Sequence, residues 1–167
     1  EVALTSIEPD VWREAHSDSI EETDNIIKML NALLDITAAE NGVLNLNYTV
    51  FNLKTLIIKS IDLYSFLAED KMIHLSLDYN LESELYCADE VKIKQVISNL
   101  LDNAVKYSSN GGVIHTMVYN EGGYLKISVK DSGIGIDDSE LVNIWNRLYR
   151  STRSRNEAGL GLGLSMV

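Results

Sequence analysis

From Asp10 to Glu40 the chain contains no glycine and no proline, and this uninterrupted run constrains the fold more than any other feature. Pro9 followed by Asp10 suits a first helical turn, where the fixed φ of proline fits and its missing N–H costs nothing. Trp12, His16, Ser19, Thr23, Ile26, Leu30, Leu33 and Thr37 then recur alternately four and three apart, and Ile20, Ile27 and Leu34 widen the stripe at seven-residue intervals. The spacing predicts a helix packed in a coiled coil or bundle. The seam is weaker in its first half, where His16, Ser19 and Thr23 lie on it. At 1.5 Å per residue such a helix runs roughly 45 Å, too long for a compact domain of 167 residues. Glu40-Asn41-Gly42 supplies the stop and a hinge.

After Gly42 the texture changes. LNLNYTVFNL alternates, KTLIIKSIDLYSFLAEDK has helical periodicity, and MIHLSLDY and ELYCAD read as short strands. A helix follows from about Asp89 to Ser108, and then GGVIHTMVYNEGGYLKISVKDSG reads as two strands joined by a Gly-Gly turn. Helices and strands are mixed without strict alternation, so the expected class is α+β, a two-layer sandwich with helices on one face of a sheet. The chain has no internal repeat and no low-complexity segment.

A formal net charge of −11, from 14 Lys and Arg against 25 Asp and Glu, argues against non-specific binding to nucleic acid. No apolar run approaches the roughly 20 residues of a membrane span, and EVALTSIEPDVWRE has neither the basic start nor the apolar centre of a signal peptide. The lone Cys87 makes neither an internal disulfide nor a Cys-rich zinc site. Against the acidic background, NRLYRSTRSR gathers Arg147, Arg150, Arg153 and Arg155. That cluster is either a solvated basic loop or a trap for a small polyanion.

Three further segments carry candidate chemistry. In SNLLDNAVKYSS, Asn99 and Asn103 stand one helical turn apart, so both amide oxygens can point at one site. Asparagine is a mediocre helix former, and neutral oxygens suit a hard cation such as Mg²⁺ already shared with phosphates. The alternative is a helix with a polar face and a frayed end. Lys106 and Tyr107, one turn on, offer a phosphate contact and an aromatic wall. In KDSGIGIDD, Asp131 at a strand end precedes Gly133 and Gly135, a carboxylate beside a backbone open to close approach. A calcium loop is disfavoured because glycines occupy its third and fifth ligand places. A tight turn would need one glycine rather than two. In GLGLGLS, Gly159, Gly161 and Gly163 precede an apolar run, a loop entering a helix whose amides suit phosphate. Leu164 stands where a dinucleotide fingerprint wants glycine, and no Gly-Lys-Ser/Thr follows, so the two commonest phosphate motifs fail.

Taken in order, QVISNLLDNAVKYSS, DSGIGID, IWNRLYR and GLGLGLSMV resemble the N, first G, F and second G boxes of sensor histidine kinases. Those kinases belong to the ATP-binding family shared with gyrase, Hsp90 and MutL. The resemblance implies a Bergerat-type fold, a mixed sheet covered by helices on one face, preceded by a long bundle-forming helix. It implies two regions: residues 1–42, a partial dimerisation and phosphoacceptor domain, and residues 43–167, a C-terminally truncated ATP-binding catalytic domain. On that template Asn103 coordinates Mg²⁺ bridging the ATP phosphates, with Asn99 as a candidate second ligand, and Lys106 and Tyr107 line the pocket. Asp131 accepts from the adenine amino group beside a wall shaped by Gly133 and Gly135. Arg150 contacts phosphate at the start of a lid hinged by Gly159, Gly161 and Gly163 and followed by Leu164. Trp145 and Leu148 fall at the aromatic places of the F box, where Leu148 is a departure.

The family's ATPases carry a glutamate one turn before the magnesium asparagine; here that place is Asn99, which cannot act as a general base at neutral pH. The resemblance therefore implies transfer of the ATP γ-phosphate to a histidine and thence to the receiver domain of a response regulator, with catalysis mostly by positioning and charge neutralisation. The acceptor histidine itself is expected outside this chain: His16 precedes Ser17, not an acidic residue, while His74 and His115 fall in strands, and all three read as structural or surface residues. EVALTSI reads as the tail of a first dimerisation helix, and the chain reads as a fragment that does not autophosphorylate alone. Homodimerisation through the long helix, a cytoplasmic domain, and membrane attachment of the parent protein through upstream segments complete the expectation. Two other readings stand beside it: a non-catalytic dimerisation scaffold with a vestigial nucleotide site, and a serine kinase of the same fold, against which the long helix counts.

Overall fold

The computed structural model describes residues 9–151 and 161–167. They divide into two compact units, one ending at Leu44 and the other beginning at Asn45. The first is built on helix α1, Pro9–Glu40, whose 32 residues span about 48 Å. Its C-terminus closes with Gly42 at φ 67°, Gly42 N–H donating to Ala39 O and Val43 N–H to Ala38 O, the paired bonds of a left-handed glycine cap. Ser19 and Thr23 on the seam turn their hydroxyls back onto the carbonyls of Ala15 and Ser19, each at 2.7 Å. The apolar members do the opposite: Ile20 is 64%, Ile27 50% and Leu34 67% exposed.

The second unit runs β1 (Thr49–Asn52), α2 (Leu53–Asp70), β2 (His74–Asn80), β3 (Leu85–Ala88), α3 (Glu90–Tyr107), β4 (Val113–Glu121) and β5 (Tyr124–Asp131). β2 pairs in parallel with β4, and β4 antiparallel with β5, giving a three-stranded mixed sheet; β1 and β3 form a separate antiparallel ribbon. The alternating segment that begins at Leu44 becomes strand only from Thr49, because its partner β3 offers just four residues of ladder. The class is α+β, as the sequence predicts.

One face of the mixed sheet is covered. Ile114, Thr116 and Val118 of β4 are buried, and their register partners are Leu75, Leu77 and Tyr79 of β2 and Asp131, Val129 and Ile127 of β5. Against them pack Leu53, Leu56 and Ile57 from α2 and Ile97, Leu101, Ala104 and Val105 from α3. The opposite face carries His115, whose Nδ1 lies 2.8 Å from Ser76 Oγ and whose Nε2 lies 3.1 Å from Asp78 Oδ2. His74 opens β2 and is exposed, and His16 tilts against Trp12 with ring centroids 6.1 Å apart.

Both helices of this unit begin on side-chain caps. Thr55 N–H donates to Asn52 Oδ1 at 2.8 Å, and Lys92 N–H to Asp89 Oδ1 at 3.0 Å. Asp89 does more, since its second oxygen accepts from Asn47 N–H at 2.9 Å. These backbone donors, Asn47 first and then Lys92, hold the Asp89 carboxyl below its ordinary value against the opposing pull of burial. A carboxyl depressed in the folded chain contributes stability above the unfolded value near pH 3.9, and that contribution is lost as pH falls through the folded value. Asp89→Asn keeps a cap acceptor but meets Asn47 N–H with a donor. Its urea midpoint should lie below wild type at pH 7, with the gap closing towards pH 3. In the core, Leu101→Ala should cost about 2–5 kcal/mol, read from the same urea curves.

Candidate functional site

The site is built around the second half of α3. Its buried stripe, Ile97, Leu101, Ala104 and Val105, turns Gln95, Asn99 and Asn103 onto an adjoining face one turn apart. The C-terminal segment lies along that face. Gln95 Nε2 reaches Met166 Sδ at 3.7 Å, and Asn99 Nδ2 donates to Gly163 O at 3.1 Å. That bond occupies the NH₂ end of Asn99 and leaves Oδ1 as an acceptor. Asn103 is half-buried, and its side chain makes no hydrogen bond to another described residue. A methyl group on Gly163 would stand 3.5 Å from Asn103 Nδ2 and 3.9 Å from Asn99 Cβ, ordinary van der Waals contact, so the C-terminal segment packs directly beside both carboxamides.

The end of α3 meets the loop after β5. Gly133 sits so close that a Cβ there would lie 2.4 Å from Tyr107 O and 2.7 Å from Asp131 Oδ1. Ile134 N–H donates to Tyr107 O at 3.2 Å, and Gly133 N–H donates to Asp131 Oδ1 at 2.9 Å. Asp131, exposed at the last position of β5, pairs in register with buried Ile114 and so belongs to the helix-covered face. Lys106 Nζ lies 4.9 Å from the centroid of the Tyr107 ring. Asn99, Asn103, Lys106, Tyr107, Asp131, Gly133 and Gly163 are thereby linked through contacts at one end of the domain. A separate opening of about 280 Å³ is lined by Val113, His115 and Lys130 with Asp131 and Ser132; none of the α3 residues borders it.

Gly135 differs from Gly133 in kind: it has φ 67° with nothing near its missing side chain. One glycine is required by contact and the other by conformation. Beyond them the segment through Trp145 is irregular, and Leu148 takes φ 58°, a strained value for a leucine. Gly161, at φ 68°, packs on this stretch, its Cβ position lying 2.7 Å from Tyr149 O and 3.1 Å from Arg150 Cγ. Arg150 is half-buried there. Leu164 opens a single 3-10 turn, Leu164–Met166, at the place where the sequence has the loop enter a helix. Gly159, Arg153 and Arg155 lie outside the described residues. Gln95 went unnoticed in the sequence, although its position four residues before Asn99 extends the same face. Lys71 also went unnoticed: its Nζ donates to Val105 O and Lys106 O, each at 3.0 Å. No local pattern marks a lysine in a turn as the partner of a helix 34 residues away.

The fold is an α+β sandwich in which the second half of α3, bearing two carboxamides, meets an acidic strand end and a glycine-bearing loop on a half-covered mixed sheet. Residues 88–167 match the family described as histidine kinase-, DNA gyrase B-, and HSP90-like ATPase. The chain is 33% identical over 149 residues to the sensor protein CopS of Pseudomonas syringae pv. tomato, covering 89% of this chain and 30% of CopS. Among solved structures it is similar to the catalytic domain of histidine kinase ThkA, at 28% identity and TM-score 0.63, over 72% of this chain and 76% of the other. The full-length ShkA–AMPPNP structure shares the fold at TM-score 0.78 and 21% identity, over 97% of this chain and 34% of that one. Residues 88–167 are an ATP-binding domain of this family, of the histidine kinase type. The chain spans less than a third of the length of CopS.

The two glycines of the β5 loop separate experimentally. Gly133→Ala should force Ile134 off Tyr107 O, seen as much faster exchange of the Ile134 amide and a clear drop in melting temperature. Gly135→Ala should cost only the strain of a left-handed alanine, about 1–2 kcal/mol.

Proposed function

We propose that this chain binds Mg–ATP through the end of α3 and the β5 loop, and that in its parent protein it transfers the γ-phosphate to a histidine outside this chain. The observation that carries the reading is the latch between the end of α3, the helix that bears Asn99 and Asn103, and the Asp131 loop: Ile134 N–H donates to Tyr107 O, and Gly133 leaves no room for a Cβ against that carbonyl. Asn103, with Asn99 Oδ1 as second ligand, would hold the cation, and neutral oxygens fit an ion whose charge the phosphates already balance. When bound, Mg²⁺ supplies charge neutralisation for phosphoryl transfer. Asp131 orients adenine by accepting from its amino group; Gly133 and Gly135 shape that wall. Lys106 and Arg150 offer cationic contacts to phosphate, Tyr107 an aromatic wall, and Gly159, Gly161 and Gly163 with Leu164 form the lid. Asn99 supplies no general base, since a carboxamide has no atom that accepts a proton at neutral pH, which favours transfer to a side chain over hydrolysis.

The parent is a sensor kinase that passes the phosphate to a receiver domain. A solved complex of histidine kinase ThkA with the response regulator protein TrrA supports that class of partner. α1 dimerises with the rest of its bundle, as its exposed Ile20, Ile27 and Leu34 suggest, in a dimerisation region we assign to residues 1–42. No helix among the described residues is long and apolar enough to cross a membrane; membrane attachment of the parent would reside in other segments. The same exposed stripe favours a second reading, a dimerisation scaffold with an inert nucleotide site.

Calorimetric titration with Mg²⁺ and AMPPNP distinguishes the two. Wild type should bind, and Asn103→Ala should bind at least about tenfold more weakly. Gly163→Ala should leave stability within about 0.5 kcal/mol of wild type, because its methyl group meets only ordinary contacts, yet weaken binding by a similar factor. A wild-type chain that binds no nucleotide but sediments as a tight dimer would establish the scaffold instead.

A further inference from the structure

The last helical bond of α3 runs from Ser108 N–H to Ala104 O at 3.1 Å, and the carbonyls of Val105, Lys106 and Tyr107 beyond it need donors from outside the helix. All three have one. Tyr107 O accepts from Ile134 N–H at 3.2 Å. Val105 O and Lys106 O both accept from Lys71 Nζ, at 3.0 Å each. Among the described residues the ammonium is the charged donor of the cap, at the end of the helix where the aligned peptide dipoles favour a cation.

Lys71 is itself held in place. Its backbone N–H closes the end of α2 on Ala68 O at 3.2 Å, and its own carbonyl accepts from Gly111 N–H at 2.9 Å. Two residues on, Ile73 N–H also returns to Ala68 O, and His74 N–H bonds Gly112 O at 2.9 Å as β2 begins. The lysine thus joins the C-terminus of one helix to that of another, and does so at the turn that presents Asn103, Lys106 and Tyr107. Without the ammonium, two adjacent carbonyls of that turn lose the one partner they have among the described residues. The turn is then free to fray towards water, and the carboxamide of Asn103 and the ring of Tyr107 lose their fixed spacing.

We propose that Lys71 is a positioning residue of the nucleotide site, acting through the last turn of α3 and touching no ligand. The inference rests on the reading of that site as nucleotide-binding. Its cost on removal appears in affinity, because a frayed turn must be re-ordered each time a ligand binds.

The test uses the whole chain with Mg²⁺ and AMPPNP, amide hydrogen exchange and thermal melting. Lys71→Met should bind the analogue about tenfold more weakly, the scale of a charge-assisted hydrogen bond, with faster exchange of the amides of residues 105–108. Lys71→Arg, which brings two donors and the charge, should recover affinity to within about threefold. Lys54→Met, which breaks the exposed Lys54–Glu84 pair on α2, should leave binding unchanged. Where Lys71→Met does not fold, Lys71→Gln, keeping a donor without the charge, takes its place and should show the same weakening. Unaltered affinity in the Met or Gln variant overturns the proposal, even if melting falls, because Lys71 is then a helix cap alone. Equal weakening in the Lys54 control also overturns it. A wild-type chain that binds no analogue refutes the site reading instead, a result seen before any Lys71 variant is made.

Discussion

The organisation of this domain depends on how the C-terminus of α3 is closed. A helix end exposes carbonyls that need donors, and here the donors come from two distant places: the turn between α2 and β2, and the loop after β5. Closing the helix therefore assembles the site. The Ile134–Tyr107 bond brings the Asp131 loop to the same turn that bears Asn103, and the absent side chain of Gly133 lets the two backbones approach that closely. A single methyl group at 133 would push apart the residues expected to hold adenine and those expected to hold the metal.

The two units follow different physical rules. From Asn45 onward, apolar residues of α2, α3 and the sheet cover one another, and the helix entrances are tied by Asn52 and Asp89. The unit ending at Leu44 leaves Ile20, Ile27, Leu30 and Leu34 in water, while its seam hydroxyls bond their own helix. A helix of that kind gains most of its stability from partners, whereas the folded α+β unit has its own core. This division suits a protein in which one part assembles and another binds a small ligand.

Catalytic character is narrowed by what α3 lacks as much as by what it carries. Asparagine at 99 supplies an amide that fastens the C-terminal segment and an oxygen left over for a ligand; it supplies no base. Phosphoryl transfer needs little covalent help from protein, so a site made of neutral oxygens, glycine backbone and a few cations is chemically sufficient. The arginine cluster is only partly described: Arg150 is half-buried under Gly161, and Arg153 and Arg155 lie outside the described residues.

Local pattern was enough for the element order, since α1, α3 and the β4–β5 hairpin each announce themselves by period and punctuation. It was also enough to single out Asn99 and Asn103, because helical spacing alone puts two amides on one face. Gly133 and Gly135 look alike in the sequence, yet one avoids a collision and the other permits a turn of the chain. That difference, the packing of Gly163 against Asn99 and Asn103 and the reach of Lys71 onto α3 are set by neighbours more than fifteen residues away. The sequence by itself determined which segments become helix or strand and which carry candidate ligands, since those depend on residues next to one another. Only the tertiary structure decided which backbone groups meet at the end of α3, because steric clearance and hydrogen-bond completion are properties of packed surfaces.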